Sequence, residues 1–270
     1  MRDFRDAKAM AQTLREAFSS KSAVLTHSES LELVARVLGF HDWNVLAARL
    51  EEERYRAAGR AAPLSPTPAG AVLPMLPLRD LVPFPRRLWP LLFVGRDKSI
   101  RAVGRAIAGD TRILAVTQRR EDDDDPGPGA FYKVGVIARV IQQWKMPDGS
   151  LKIFASGLER AAVTRFIEGE LWTAEVAPIE EQRGQTPEAA TLSRAVLDAY
   201  QAYSNVNLSS PPQALRGLVD ISEPAGTLAD DLAQLLSIGI DRRQELLETG
   251  DVIARLEKIR ELMKTDQQAA

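Results

Sequence analysis

Between residues 57 and 72 the chain reads AAGRAAPLSPTPAGAV, with three Pro, two Gly and no periodic apolar face. Proline fixes φ and removes a backbone donor, so this stretch can continue neither a helix nor the middle of a sheet. It reads as a semi-extended linker that splits the 270 residues into two unequal units. Residues 1–56 make the first. Residues 73–182 and 183–265 make two lobes of the second, and 266–270 a polar tail.

The first unit has helical spacing throughout. Phe4, Ala7, Met10, Ala11, Leu14 and Phe18 fall on one face of a helix over Asp3–Ser19. A second helix begins at Thr26 or Ser28, where a small hydroxyl precedes Glu29 and Leu31, and stops at Gly39. A third follows Asp42, a capping residue for Trp43–Arg56. A helical unit of this size is small but able to fold alone.

After Leu73 the pattern shortens. LPMLPLRD and RRLWPLLFVG are apolar runs punctuated by Pro, suited to edge strands and corners. Asp97–Ala108 returns to helical spacing through Ile100, Val103 and Ile107, with Asp97 a good cap. Arg112–Gln118 is a buried-type strand. Tyr132–Lys145 and Leu151–Ser156 flank the hairpin signal Pro147-Asp148-Gly149. Ala161–Glu168 and Leu171–Glu180 form a second pair around Gly169 and Glu170. Beyond Thr186 the spacing is helical again, over Pro187–Asn205, Gln213–Ile221, Thr227–Leu236 and Arg242–Lys264. The last carries Leu246, Leu247, Ile253, Leu256, Ile259 and Met263 in a near-heptad stripe, read as core rather than a dimer seam. The fold class is therefore α+β: a β-rich lobe followed by a helical one.

Composition removes most chemistry. There are no cysteines, which excludes thiolate nucleophiles, iron–sulfur sites and Cys-ligated zinc, and His27 and His41 are the only imidazoles. Neither GxxxxGK[ST] nor GxSxG occurs, so phosphate cradles and nucleophile elbows are missing from this stretch of chain. Asp122–Asp125 places four carboxylates in a row, but consecutive loop carboxylates point apart, and calcium loops space their ligands with a Gly and a distal Glu. No cofactor or metal is expected. The charge balance, 35 basic against 37 acidic residues, gives no counterion-release drive toward nucleic acid, and Arg79, Arg86 and Arg87 form only a small basic cluster. The amino terminus lacks the apolar core of a secretory signal, and no apolar run approaches the length of a membrane span, so a cytoplasmic location is expected.

One segment invites a binding role. Leu88, Trp89, Leu91 and Phe93 surround Pro90, which does not suit a sheet centre, and Asp97, Lys98 and Arg101 follow on one side of the next helix. An apolar strand with a polar rim is how an exposed patch reads polypeptide, although ordinary core remains the plain alternative.

LPLRDLVPFPRRLWPLLFVGRDKSIRA (76–102) and YKVGVIARVIQQWKMPDGSLKIFASGLERAAV (132–163) resemble the amino-terminal substrate-binding domain of Lon proteases. LADDLAQLL (228–236) and RQELLETGDVIARLEKIRELM (243–263) resemble its helical part. The likeness spans about residues 72–265 and implies a six-stranded PUA-like pseudobarrel followed by a helical bundle. It implies recognition of unfolded or damaged polypeptide, and neither ATPase nor protease motifs come with it. Residues 5–50 resemble a small helical module associated with glyoxalase-superfamily proteins, on the Thr-His-Ser, Leu-Glu-Leu-Val-Ala and Gly-Phe-x-Asp-Trp-Asn segments, without that family's metal-binding fold. The expected function is a non-catalytic module that binds unfolded polypeptide. Two alternatives stay open: an adaptor or regulator docking on the Lon protease, and the amino-terminal piece of a full protease. Nucleic acid and membrane are not expected partners; the oligomeric state stays open.

Overall fold

The computed structural model describes residues 10–13, 26–38, 40, 43, 46, 64–89, 91–207 and 224–269. The chain divides between Pro66 and Thr67, inside the proline-rich stretch.

In the first unit, α1 spans His27–Val37. Thr26 is its cap: the Thr26 hydroxyl accepts from Glu29 N, while Glu29 accepts from Thr26 N at 2.8 Å. This reciprocal pair satisfies two orphan donors and is worth about 1 kcal/mol. Leu31, Val34 and Ala35 of α1 bury against Ala11 and Leu46. Most of the expected first and third helices lie outside the described residues.

The second unit begins with β1 (Ala71–Leu78) and β2 (Leu92–Val94). Helix α2 (Asp97–Ala108) follows, then β3 (Arg112–Thr117), β4 (Val134–Lys145), β5 (Leu151–Ile167) and β6 (Thr173–Pro178). The strand order is β2-β5-β4-β3-β1-β6, and β6 pairs back onto β5. Five strands therefore close into a ring, and β2 is annexed to the outside of β5. β1 reconciles its prolines with this position by dividing its neighbours. Ala71–Pro74 pair with β6, and Met75–Leu78 pair in parallel with β3. Each half has one partner along its length, so a missing N–H at Pro74 or Pro77 is tolerated. β5 is one long strand where two were expected; register shifts at Ile137/Ala138, Val140/Gln142 and Val163/Arg165 let it serve both halves of the ring.

Alternation sends β residues into two cores. Leu73, Met75, Leu114, Val116, Ile137 and Val176 pack with Phe131 and Trp172, whose rings meet edge to face at 5.3 Å. Leu76, Leu78, Ile113, Ala115, Val136 and Ala138 face the other way, in a cluster shared with α2 and the helical lobe. In α2, Ser99, Ala102, Val103 and Ala106 are buried at the i, i+3, i+4, i+7 spacing of one helical face. Its cap is Arg96, which makes no side-chain capping bond; Asp97 sits in the first turn instead, where its charge complements the helix dipole.

The helical lobe holds α3 (Pro187–Asn207), α4 (Ala225–Leu235), α5 (Ile240–Glu248) and α6 (Val252–Ala269). The expected helix over 213–221 lies outside the described residues. The single helix expected over 242–264 is two. Gly250 O accepts from Gln182 N, and the Asp251 carboxylate caps α6 by accepting from Ala254 N at 3.1 Å. The stripe from Leu246 to Met263 is buried on both sides of that break, as core.

Candidate functional site

The chain from Leu78 to Val94 returns over the outside of the ring. Its middle is fixed to β5: Arg86 N donates to Gly157 O, Gly157 N to Arg87 O, and Trp89 N to Ala155 O. Arg86 adopts a left-handed backbone (φ 59°), a conformation costing about 1 kcal/mol that its surroundings must hold. Gly157 is required where this segment crosses, because a Cβ there would meet the Phe84 carbonyl and lie 3.0 Å from Pro85 Cα.

This crossing decides which apolar residues are free. Trp89 is 3% exposed and its indole N–H donates to Phe84 O at 3.0 Å. It is therefore core, which corrects the expectation that it faces a partner: the backbone folds over it and supplies the hydrogen bond that a buried indole needs. Leu88 is half-buried, bridged to Ser156. Leu91 and Leu92 are half-buried, while Phe93 is 72% exposed.

Leu91 and Phe93 line a groove of about 670 Å³ whose other walls include Leu76, Leu78, Leu81 and Val94. A second hollow of about 350 Å³ opens beside it, lined by Asp97, Lys98, Arg101, Asp125 and Trp172. Pro77, Arg96 and Ser99 border both. Five of the seven residues singled out from the sequence thus meet around the start of α2. Leu88 and Trp89 line neither hollow. Arg96 stands between the two, donating to Gln118 Oε1 at 2.6 Å and to Pro77 O at 2.9 Å. Burial, then the nearby Arg79 charge, lowers its pKa from the ordinary guanidinium value. The groove floor from β1, Arg96 and Leu81 were missed by the sequence reading, since their convergence depends on β1 lying beneath the returning segment.

The rim is already engaged in ordered contacts. Lys98 Nζ bonds Glu168 at 3.2 Å and Asp125 at 3.3 Å, and lies 5.2 Å from the Trp172 ring centroid. Its hydrogen bond to the Glu168 carboxylate raises its pKa. Arg101 Nε donates to Glu170 O at 2.7 Å, and Asp97 is exposed. Such exposed pairs are weak and readily exchange partners.

The acidic loop spreads as its sequence suggests: Asp122 pairs with Arg120, Asp124 with Arg79 and Asp125 with Lys98. Among the described residues no group of three His, Cys, Asp or Glu is placed to hold a metal ion, and no helix is long and apolar enough to cross a membrane. The small arginine cluster is also engaged, Arg86 with Glu181 and Asp230 and Arg87 with Asp231.

The Arg86 pairs form the exposed end of a largely buried ionic hub between the two lobes. Arg160 of β5 and Asp230 of α4 have almost no exposed surface and bind each other. Arg160 Nε also donates to Leu247 O at 3.0 Å, and its NH1 reaches Glu181 at 3.1 Å. Arg255 of α6 pairs with Glu181, approaches Asp230 at 3.5 Å and donates to Thr249 O at 3.1 Å. Burial alone would raise the Glu181 pKa. The hydrogen bond from Arg86 and the charge of Arg255 outweigh it and hold the carboxyl at about 2.

The fold of this second unit is shared with solved structures. The amino-terminal domain of Mycobacterium avium complex Lon protease superposes with a TM-score of 0.57 at 20% identity, covering 72% of this chain and 98% of that one. The Lon N-terminal domain protein from Xanthomonas campestris gives 0.50 at 19%, covering 70% and 96%. In sequence, Lon proteases of Azospirillum brasilense (41% over 198 residues) and Rhizobium meliloti (42% over 195) are similar to 73% and 72% of this chain. The chain spans 24% of the length of each of these two relatives. Residues 72–265 match the ATP-dependent protease La (LON) substrate-binding domain, and the chain belongs to that family. Residues 1–65 match a family described as glyoxalase superfamily protein.

Proposed function

We propose that this chain is a non-catalytic receptor for unfolded or damaged polypeptide, and that the groove beside Phe93 receives exposed apolar segments. The carrying observation is Phe93, a large aromatic side chain 72% exposed beside a groove whose walls include Leu76, Leu78, Leu81, Leu91 and Val94 together with Arg79, Asp80 and Arg96. A buried aromatic contributes about 1.5–3 kcal/mol, so an exposed one beside a groove is a ready anchor for a partner's apolar side chains. Family membership supports the same reading. The engaged state of Arg79, Arg86 and Arg87 argues against a phosphate-backbone ligand. Affinity is modest, because a disordered segment bears its own ordering cost on binding. A second reading, docking on a Lon protease, is favoured by the 41% identity that spans both lobes, since shared surfaces allow mixed assembly.

The test is fluorescence anisotropy of labelled, reduced and carboxymethylated lactalbumin titrated with the full chain, without nucleotide. Saturable binding that weakens in Phe93→Ser is the expected result. Absence of binding at high micromolar concentration removes direct capture and leaves docking on the protease as the function to pursue.

A further inference from the structure

Phe93 and Trp144 are the large aromatic side chains most exposed among the described residues, at 72% and 42%. The register joins them. Phe93 of β2 stands opposite Lys152 of β5, and Lys152 stands opposite Trp144 of β4. Directly opposed residues of antiparallel neighbours share a face. The three side chains therefore form one row across the sheet, about 10 Å from end to end at about 4.8 Å per strand.

The middle of this row is the cation Lys152. Lys152 Nζ lies 4.9 Å from the Phe93 ring centroid, and no acidic side chain among the described residues pairs with it. Lys145, next to Trp144, is exposed and likewise makes no ion pair. The one acid of the intervening turn, Asp148, accepts from Ser150 N at 3.0 Å and Ser150 Oγ at 2.7 Å. The row is thus two aromatic faces with net positive charge between them.

We propose that this row receives a short extended segment in which an acidic residue lies between two large apolar residues. The carboxylate meets Lys152, and the apolar groups pack against Phe93 and Trp144. This names the substrate class and rests on the polypeptide-binding reading above. An extended chain advances about 3.3 Å per residue and alternates its side chains between two faces, so apolar residues at i and i+4 with the acid at i+2 face the row together, their side chains leaning inward to meet it. Between two rings the carboxylate is partly removed from water, which strengthens its attraction to the ammonium. A basic residue at the same position is repelled, so selectivity comes from repulsion as much as from attraction.

Three labelled peptides, identical except for Asp, Ser or Lys between two Phe residues, are titrated with the full chain by anisotropy. The expected order of affinity is Asp, then Ser, then Lys, with about tenfold between the extremes, shrinking as salt is added. Lys152→Glu reverses the order and Trp144→Ala weakens all three alike, circular dichroism showing both variants folded. Equal affinity for the three peptides, or an unchanged order in Lys152→Glu, overturns the acidic preference while leaving polypeptide binding standing. If the wild-type chain binds neither these peptides nor the unfolded lactalbumin, both readings fall together.

Discussion

The interlobe hub and the β2 corner both draw on β5, at Arg160 and at Leu151–Ile153, and are built on opposite terms. At the hub the charges are paired and mostly withdrawn from water: buried Arg160 and Arg255 and the more exposed Arg86 converge on Asp230 and Glu181. At the corner, β2 contributes three residues paired on one side only, and its largest side chain faces solvent. Under the proposed function, stability and recognition are thereby separated. A binding face needs exposed apolar surface, which contributes nothing to folding until a partner covers it. Fixed lobes need charges whose removal is costly. Substitutions at the two places should move different observables.

The largest expected effect is Asp230→Ala. It leaves Arg160 and Arg255 buried with Glu181 as their remaining carboxylate, and stranding buried charge costs about 3–5 kcal/mol. Urea denaturation is expected to show that loss, with β-lobe and helical-lobe probes no longer unfolding together. A change below about 1 kcal/mol would mean that water reaches the hub. Gly157→Ala comes next. Its Cβ falls on the Phe84–Pro85 backbone, so the returning segment must shift, at about 1–3 kcal/mol for overpacking. Because that segment forms the groove wall, Gly157→Ala is the one variant expected to lower both stability and polypeptide binding.

Titration sharpens the contrast further. The Glu181 carboxyl, held at about 2 against an ordinary 4.5, binds a proton more readily in the unfolded chain. Its contribution is complete above about pH 4.5 and is lost as pH falls toward 2. Tyr132 works at the other end. Burial first, then its hydrogen bond to the Asp241 carboxylate, raises the phenol from 10.0 to about 12. The stability it lends is complete below pH 10 and lost as pH rises toward 12. Thermal melts across pH should show both edges, and Glu181→Gln should flatten the acid one. An acid edge unchanged in that variant would place the titrating group elsewhere.

The sequence reading reached the elements whose signals are local. Helix α2 has the predicted limits because its apolar period, its first-turn acid and Gly109 agree. The β4–β5 hairpin follows from Pro-Asp-Gly, where Gly149 takes the positive φ. The hub was invisible because its partners stand about 70 residues apart along the chain, as Arg160 and Asp230 do, and each alone reads as surface charge. The break between α5 and α6 was hidden because buried Leu246, Leu247, Ile253 and Leu256 carry the apolar stripe through Gly250 and Asp251. Trp89 was misplaced for a related reason. Alternation along a strand predicts which side chains share a face, but only the fold shows which face a returning backbone covers. Phe93 and Lys98 line the two hollows; their neighbours across β1 and β5 come from topology alone.

The smallest effect on stability is expected from Phe93→Ser, and it decides most about the corner. With 72% of its surface in water, Phe93 gives the fold little apolar burial to lose, so its removal should shift unfolding by no more than about 0.5 kcal/mol. The contact with Lys152 at 4.9 Å is solvent-exposed and worth about as little. Binding of unfolded polypeptide should nevertheless fall severalfold, since an anchor residue contributes mainly when a partner buries it. The informative quantity is the ratio of the two effects. If unfolding shifts by more than about 1 kcal/mol while affinity is unchanged, Phe93 secures β2 to the sheet and the groove is not entered from this side.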